Sequence, residues 1–224
     1  MGTKAARVRS TFVDAKEHRH RSISKLAFVI GASSRIGLDL ADCSAAAGYD
    51  LLLVDEEPRI EQTAIALRRR GTVVDAVQAN LATSEGRDAL YAAARGRPVD
   101  ALLTSATEVA GPDLVHARWP DAQCVIDANV SGRLALIQRV GHDMRGRGIG
   151  NILVTDPAPE QASSGAPSLR HGTRSLLDSF LRALRAELAG SGASVTHWRP
   201  RAAQTDVLDR AAMLETMRGW MRHP

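Results

Sequence analysis

The chain has 224 residues, of which 44% are hydrophobic and 24% are charged, values typical of one globular domain with a sizeable core. No apolar run approaches the ~20 residues that span a bilayer, and no apolar segment follows the first charges, so we expect a cytoplasmic protein without a membrane contact. The two cysteines, Cys43 and Cys124, lack the C-x-x-C spacing of a zinc site and are too few for a disulfide framework, so no bound metal is expected.

The net charge of +4 comes from the N-terminal segment. Residues 1–25 carry seven Lys or Arg residues against Asp14 and Glu17, a net of +5, which leaves the remainder of the chain at −1. The segment shows little hydrophobic periodicity, so we interpret residues 1–24 as a basic arm, mobile or docked on a partner, ahead of a single domain at 25–224. No reading motif or aromatic platform accompanies its charges, and we do not expect nucleic-acid binding.

After the arm, apolar runs alternate with amphipathic stretches. The alternation predicts parallel strands joined by right-handed helical crossovers, an α/β fold with a doubly wound, Rossmann-type parallel sheet of about six strands in three layers. Ligands of such sheets bind beyond the carboxyl ends of the strands. The predicted strands are 26–30, 50–54, 73–79, 99–104, 151–155 and 194–198, and the predicted helices include 35–47, 84–94, about 121–147 and one with a leucine stripe at Leu177, Leu181, Leu184 and Leu188.

The junction of the first strand and first helix has the sequence LAFVI followed by GASSRIG at 31–37. Backbone N–H groups at a helix N-terminus have no internal partner, so such a junction attracts phosphate. Gly31 can adopt the backbone angles of the turn, Ser33 and Ser34 offer hydroxyls, and Gly37 lets the helix pack close to the strand.

The second predicted strand ends in Asp55, 18 residues after Gly37. A carboxylate at this place can bind the ribose hydroxyls of a dinucleotide and repel a 2′-phosphate, which favours NAD over NADP. The alternative is that Asp55 only begins a solvated turn with Glu56 and Glu57.

Residues 31–37 resemble the G-x-x-x-G-x-G loop of the short-chain dehydrogenases/reductases, with Arg35 in place of the middle glycine. The resemblance covers about residues 25–206. It implies that the loop, including Ile36, binds the cofactor, and that Asn80 and Leu81 contact its adenine. It also implies that Ser105, within the stretch that replaces the family's N-N-A-G, lies near the cofactor, and that Thr205 contacts the pyrophosphate or carboxamide.

The same resemblance implies a catalytic serine, tyrosine and lysine, the last two being four residues apart on the leucine-striped helix. Alignment on that stripe places Arg170 at the tyrosine and Arg174 at the lysine, and Pro157 at the serine, so none of the three catalytic groups is present. Arginine stays protonated and is a poor proton donor, although Arg174 could bind ribose hydroxyls or a phosphate.

Three further residues are candidates for the active site. Asn129 resembles the family asparagine that holds a water in the proton relay, and a purely structural hydrogen bond is its alternative role. A shift of one or two residues in the loop before the helix could bring Asp156 or His171 into the pocket, where histidine is competent for proton transfer. His171 could equally be an exposed residue at the helix start.

Three functions therefore stay open. The first is an oxidoreductase with altered catalytic groups that acts on a carbonyl or alcohol with NAD(H) or NADP(H). The second is a pseudoenzyme of the same fold, with or without a bound nucleotide, that serves as a partner or regulator. The third is an anion-binding scaffold whose basic N-terminal arm engages a polyanion. The arginines predicted around one cleft, among them Arg35 and Arg170, would make that cleft positive and suit a small anionic ligand. The resemblance also implies a homodimer through the two long helices.

Overall fold

A computed structural model describes residues 7–9, 24–105, 113–155, 168–198 and 209–222. The strands are β1 (Arg7–Arg9), β2 (Leu26–Ile30), β3 (Asp50–Asp55), β4 (Val74–Gln78), β5 (Ala101–Thr104), β6 (Gly150–Thr155) and β7 (Ala193–Trp198). The helices are α1 (Arg35–Ala47), α2 (Ile60–Arg68), α3 (Ser84–Ala93), α4 (Trp119–Ile126), α5 (Gly132–Arg147), α6 (Ser168–Glu187) and α7 (Arg210–Arg222), and a π-helical segment, Asp127–Ser131, joins α4 to α5.

The sheet has the strand order β1-β4-β3-β2-β5-β6-β7. All pairs from β4 to β7 are parallel, which confirms the predicted doubly wound sheet of six parallel strands. The order reverses between β2 and β5, so this is the place where a doubly wound sheet opens a crevice for a ligand. The short strand β1 pairs antiparallel with β4, which adds three residues of the N-terminal segment to one sheet edge.

Helices cover both faces of the sheet, so the molecule has the three predicted layers. On one face, α3, α5 and α6 pack on a cluster that includes Phe28, Leu102 and Ile152. The predicted leucine stripe of α6 is buried in that cluster. On the other face, α1, α2 and α7 cover a second cluster that includes Val29 and Leu53. Strand residues alternate between the two clusters because successive side chains point to opposite faces of a sheet.

Several helix boundaries follow from local capping. Ser34 accepts a hydrogen bond from Gly37 N at the start of α1, and Thr83 accepts one from Gly86 N at the start of α3. Both side chains satisfy an N–H group that has no partner inside the helix. The predicted long helix at about 121–147 begins at Trp119. Its backbone hydrogen bonds change from the α-helical to the π-helical pattern over Asp127–Ser131.

Candidate active site

The loop between β2 and α1 lies at the carboxyl ends of the strands, next to the point where strand order reverses. Gly31 has a φ of 74°, a conformation that favours glycine, and its N–H donates to Val54 O at 2.9 Å. Gly37 lies against the start of the loop, since a Cβ built on it would be 2.0 Å from Gly31 O. These two glycines let the chain turn tightly between strand and helix.

Two backbone N–H groups at this turn are left without a hydrogen-bond partner in the described part of the chain. Arg35 and Ile36 are the first two residues of α1, and no acceptor for their N–H groups lies among the described residues. Gly37 N and Leu38 N are satisfied by Ser34, through its side chain and its carbonyl respectively. The start of α1 therefore offers two N–H donors and the positive end of the helix dipole to an anion.

Asp55 closes the other side of the loop from the end of β3. Its Oδ2 accepts a hydrogen bond from Ser33 N at 3.0 Å, and its Oδ1 accepts one from Glu57 N at 3.1 Å. Partial burial, together with the charges of Asp55 and Glu57, raises the pKa of Glu56. The side chain of Asp55 thus braces the loop, a role that the sequence did not indicate, and it stands in a locally acidic group.

Ser105 follows β5 and lies under the loop. Its side-chain oxygen is 2.7 Å from Ser34 Oγ and 3.3 Å from Gly31 O, and the residue is only 1% exposed. Ser105 was predicted from the sequence to lie near the cofactor. The structure places its hydroxyl against the loop.

Asn80 and Leu81 follow β4 at the same edge of the sheet. Asn80 is exposed, but its Oδ1 accepts a hydrogen bond from Ala82 N at 2.8 Å. Leu81 is half-buried and packs against the cluster on the α3, α5 and α6 face. The two residues form a turn that leads into the Thr83 cap of α3, beyond the carboxyl end of β4.

Asn129 is buried in the π-helical segment that interrupts α4 and α5. Short π-helical segments within helices are frequently found at functional sites. After the segment, the helix passes close to the turn at Leu81, since a Cβ on Gly132 would lie 2.6 Å from Leu81 O. The π-helical segment therefore lies directly before the place where the helix meets the Leu81 turn, and no pattern in the sequence predicted it.

A model of the short chain dehydrogenase family matches residues 25–214. The chain belongs to the short-chain dehydrogenase/reductase family. It is 27% identical over 195 residues to the short-chain reductase protein NovJ of Streptomyces niveus, a match that covers 85% of this chain and 74% of that protein. It is 29% identical over 202 residues to galactitol 2-dehydrogenase (L-tagatose-forming) of Cereibacter sphaeroides, covering 85% and 77%.

The fold is also shared with solved structures of the family. A short-chain dehydrogenase/reductase from Burkholderia phymatum in complex with NAD superposes with a TM-score of 0.71 at 22% identity. That match covers 89% of this chain and 78% of the other. It supports the Rossmann-type fold of this family member.

The positions aligned with the family's catalytic tyrosine and lysine lie near the start of α6. Arg170 is in the first turn of this helix, His171 is exposed, and Arg174 is half-buried one turn further on. Below them, Asp178 pairs with His197 Nδ1 at 3.3 Å and with Arg182 at 3.3 Å. The Asp178–His197 pair ties α6 to β7, and no local pattern in the sequence indicates it because the two residues lie on different elements.

Neither tyrosine of the chain lies at this end of the sheet. Tyr49 immediately precedes β3, and Tyr91 is near the end of α3, so both lie toward the amino ends of the parallel strands. Burial raises the pKa of both phenols. Tyr91 borders a separate cavity of about 470 Å³ together with Val99, His142 and Arg147. Neither phenol therefore lies at the end of the sheet where α6 begins, the end that carries Arg170.

Three predicted positions lie outside the described residues: Asp156, Pro157 and Thr205.

Among the residues that the structure describes, no group of His, Cys, Asp and Glu side chains could hold a metal ion. In the same part of the chain, no helix combines the length and the apolar character needed to cross a membrane.

Proposed function

We propose that this chain binds a nicotinamide dinucleotide at the loop of residues 31–37 and is an oxidoreductase of its family with altered catalytic groups. The observation that carries the proposal is the pair of N–H donors at Arg35 and Ile36, placed where the strand order reverses. Asp55 stands at the end of the neighbouring strand β3 and accepts a hydrogen bond from Ser33 N in the loop. This combination suits a pyrophosphate next to a ribose.

The residues present fit such a cofactor. Arg35 N and Ile36 N would hold the pyrophosphate, with Ser33 and Ser34 beside them, and Asp55 would accept from the adenosine ribose. Asn80 and Leu81 would border the adenine, and Arg174 and Thr205 would hold the nicotinamide half. When bound, the nicotinamide ring supplies a hydride for the carbonyl carbon of a substrate.

The charges around Asp55 favour NAD over NADP. Asp55, Glu56 and Glu57 place three carboxyl groups in succession at the end of β3, where the 2′-position of the adenosine ribose would lie. A 2′-phosphate there would be repelled by like charge, whereas free ribose hydroxyls can donate to the carboxylate of Asp55.

Proton transfer is the step for which the usual group is missing. We propose that water, Asp156 or His171 supplies the proton at the substrate oxygen in place of tyrosine. The buried Asn129, held in the π-helical segment, would brace that end of the cleft. The substrate class under this proposal is a small carbonyl compound or alcohol.

The alternative function is a pseudoenzyme, a nucleotide-binding partner or regulator without turnover. Arginine at positions 170 and 174 favours it, because a guanidinium group stays charged at ordinary pH and cannot act as the acid. The burial of both tyrosines at the opposite end of the sheet favours it too.

We further propose that two copies associate through α4, α5 and α6. Trp119 at the start of α4 is 65% exposed and Leu176 on α6 is 52% exposed, and both lie on the layer that contains α5.

Residues 1–24 would form an arm ahead of the domain at 25–224, joined to it at the sheet edge by Arg7–Arg9. A cytoplasmic location stays a prediction from the sequence.

Turnover of a broad carbonyl panel with NADH separates the two functions. We expect slow reduction of some panel members by the natural chain, and faster reduction by the triple variant Pro157→Ser, Arg170→Tyr, Arg174→Lys, which restores the family's groups. Nucleotide binding without turnover in the natural chain would support the pseudoenzyme. A folded triple variant that binds NADH but shows no gain would contradict the alignment of α6 on which the proposal depends.

A further inference from the structure

The hydroxyl of Ser105 belongs to a small network inside the loop. Ser34 Oγ is 2.8 Å from Gly31 O and 3.0 Å from Gly37 N. Ser34 Oγ donates to Gly31 O and accepts from Gly37 N–H, and it lies 2.7 Å from Ser105 Oγ. The Ser105 hydroxyl also lies 3.3 Å from Gly31 O. The network therefore joins the first residue of the loop to the last and to the sheet.

The backbone of Ser105 is itself fixed. Its N–H donates to Ile30 O at 3.0 Å, which extends the pairing of β2 and β5 by one residue. A side chain that leaves a rigid strand end and is almost fully buried has little freedom to move. Ser105 can thus hold the loop in one shape, but its buried hydroxyl is not presented to a ligand above the loop.

We propose that Ser105 is a positioning residue, which keeps the loop of residues 31–37 in the shape that binds nucleotide phosphate without touching the nucleotide. The inference rests on the proposed function and deepens it. Asp55 holds the loop from β3 through Ser33 N, and Ser105 holds it from β5 through Ser34, so the loop is supported from two strands. Support of this kind raises affinity because the loop is ordered before the ligand arrives.

The variant Ser105→Ala removes the hydroxyl and leaves the packing almost unchanged. We expect amide hydrogen exchange at Gly37 to become faster in the absence of nucleotide, and the affinity for NADH to fall about tenfold, the effect of one lost hydrogen bond. The matched control is Thr155→Val, which removes an equally buried hydroxyl at the end of β6. Thr155 Oγ1 donates to Thr104 O and does not touch the loop, so this control should leave both measurements unchanged.

A second variant distinguishes positioning from a general loss of stability. Ser34→Ala removes the network from the loop side, and the double variant Ser34→Ala, Ser105→Ala should bind NADH no more weakly than Ser34→Ala alone. If the fold-losses in NADH affinity of the two single variants multiply in the double variant, the proposal is overturned. So would unchanged NADH affinity in folded Ser105→Ala.

The two proposals can fail separately. If the natural chain binds neither NADH nor NADPH, the proposed function fails, but the exchange of Gly37 N–H without nucleotide still decides whether Ser105 holds the loop. Faster exchange at Gly37 in Ser105→Ala, with wild-type exchange in Thr155→Val, is then the supporting result. Wild-type exchange in Ser105→Ala is the contradicting one.

Discussion

At the scale of single residues, the approach of helix α1 to its loop depends on the absence of a side chain at position 37. A Cβ on Gly37 would lie 2.0 Å from Gly31 O and 2.8 Å from Ala32 Cα, and both are backbone atoms that cannot rotate away. The variant Gly37→Ala must therefore shift α1 or the loop. We expect it to lower the free energy of unfolding by about 3 kcal/mol, the upper range for overpacked cores, in a urea titration.

The matched control for this variant is Gly219→Ala on α7. No heavy atom lies within 4 Å of a Cβ built on Gly219, and alanine favours the helix by ~0.5–1 kcal/mol over glycine. The control should therefore be neutral or stabilising. Wild-type stability in Gly37→Ala would mean that loop and helix are not packed as closely as described.

Arg35 stands where the family loop has a glycine, and its side chain and its backbone bear differently on the loop. The side chain departs from the family pattern, whereas the backbone N–H does not. The sequence presents Arg35 as a departure from the family loop. In the structure its N–H is one of the two donors at the start of α1, and its side chain is exposed. The backbone donor does not depend on the side chain, so both N–H donors remain at the start of α1 although the glycine is lost.

At the scale of elements, α7 is a part of the core. Met217 is fully buried in the cluster that includes α1 and α2, and Ser44 donates a hydrogen bond to its sulfur at 3.4 Å. Lys25 Nζ also donates to Trp220 O, which ties the end of α7 to the start of β2. Helix α7 therefore helps to cover the face of the sheet on which α1 and α2 pack.

We expect Met217→Ala to lower the free energy of unfolding by about 2–5 kcal/mol, because it leaves a cavity in this cluster. The control is Arg218→Ala, whose side chain is exposed and pairs only with Glu215 among the described residues, and which should change stability by less than about 0.5 kcal/mol. A loss of less than 1 kcal/mol in Met217→Ala, measured by urea unfolding, would indicate that α7 is not integral to the fold.

The sequence predicted the elements better than it predicted their contacts. Helix α1 lies at Arg35–Ala47 as predicted, and the leucine stripe of α6 is buried, because both patterns reflect local periodicity. The π-helical segment, the contact of Ser105 with Ser34 and the pairing of Asp178 with His197 were not predicted. The two contacts join residues that meet only after the strands have been ordered, which no local pattern records.

At the scale of the whole molecule, the exposed apolar residues on the α4 and α6 layer predict a dimer. We expect the natural chain to be dimeric in light scattering, and Leu176→Glu to be monomeric, because a buried unpaired carboxylate opposes association. Ile65→Glu is the control, since Ile65 is similarly exposed but lies on α2, in the opposite layer. A dimeric Leu176→Glu variant would place the interface elsewhere.

The proposed function of the whole molecule depends on one property, the binding of a nicotinamide dinucleotide at the loop of residues 31–37 beside Asp55. Titration of the full chain with NADH and with NADPH, repeated on Asp55→Asn, measures it directly. We predict that the natural chain binds NADH at least about tenfold more tightly than NADPH, and that Asp55→Asn loses most of this preference, since removing one like charge near a phosphate changes the binding free energy by roughly 1 kcal/mol or more. Binding of neither nucleotide by the folded natural chain would contradict the account.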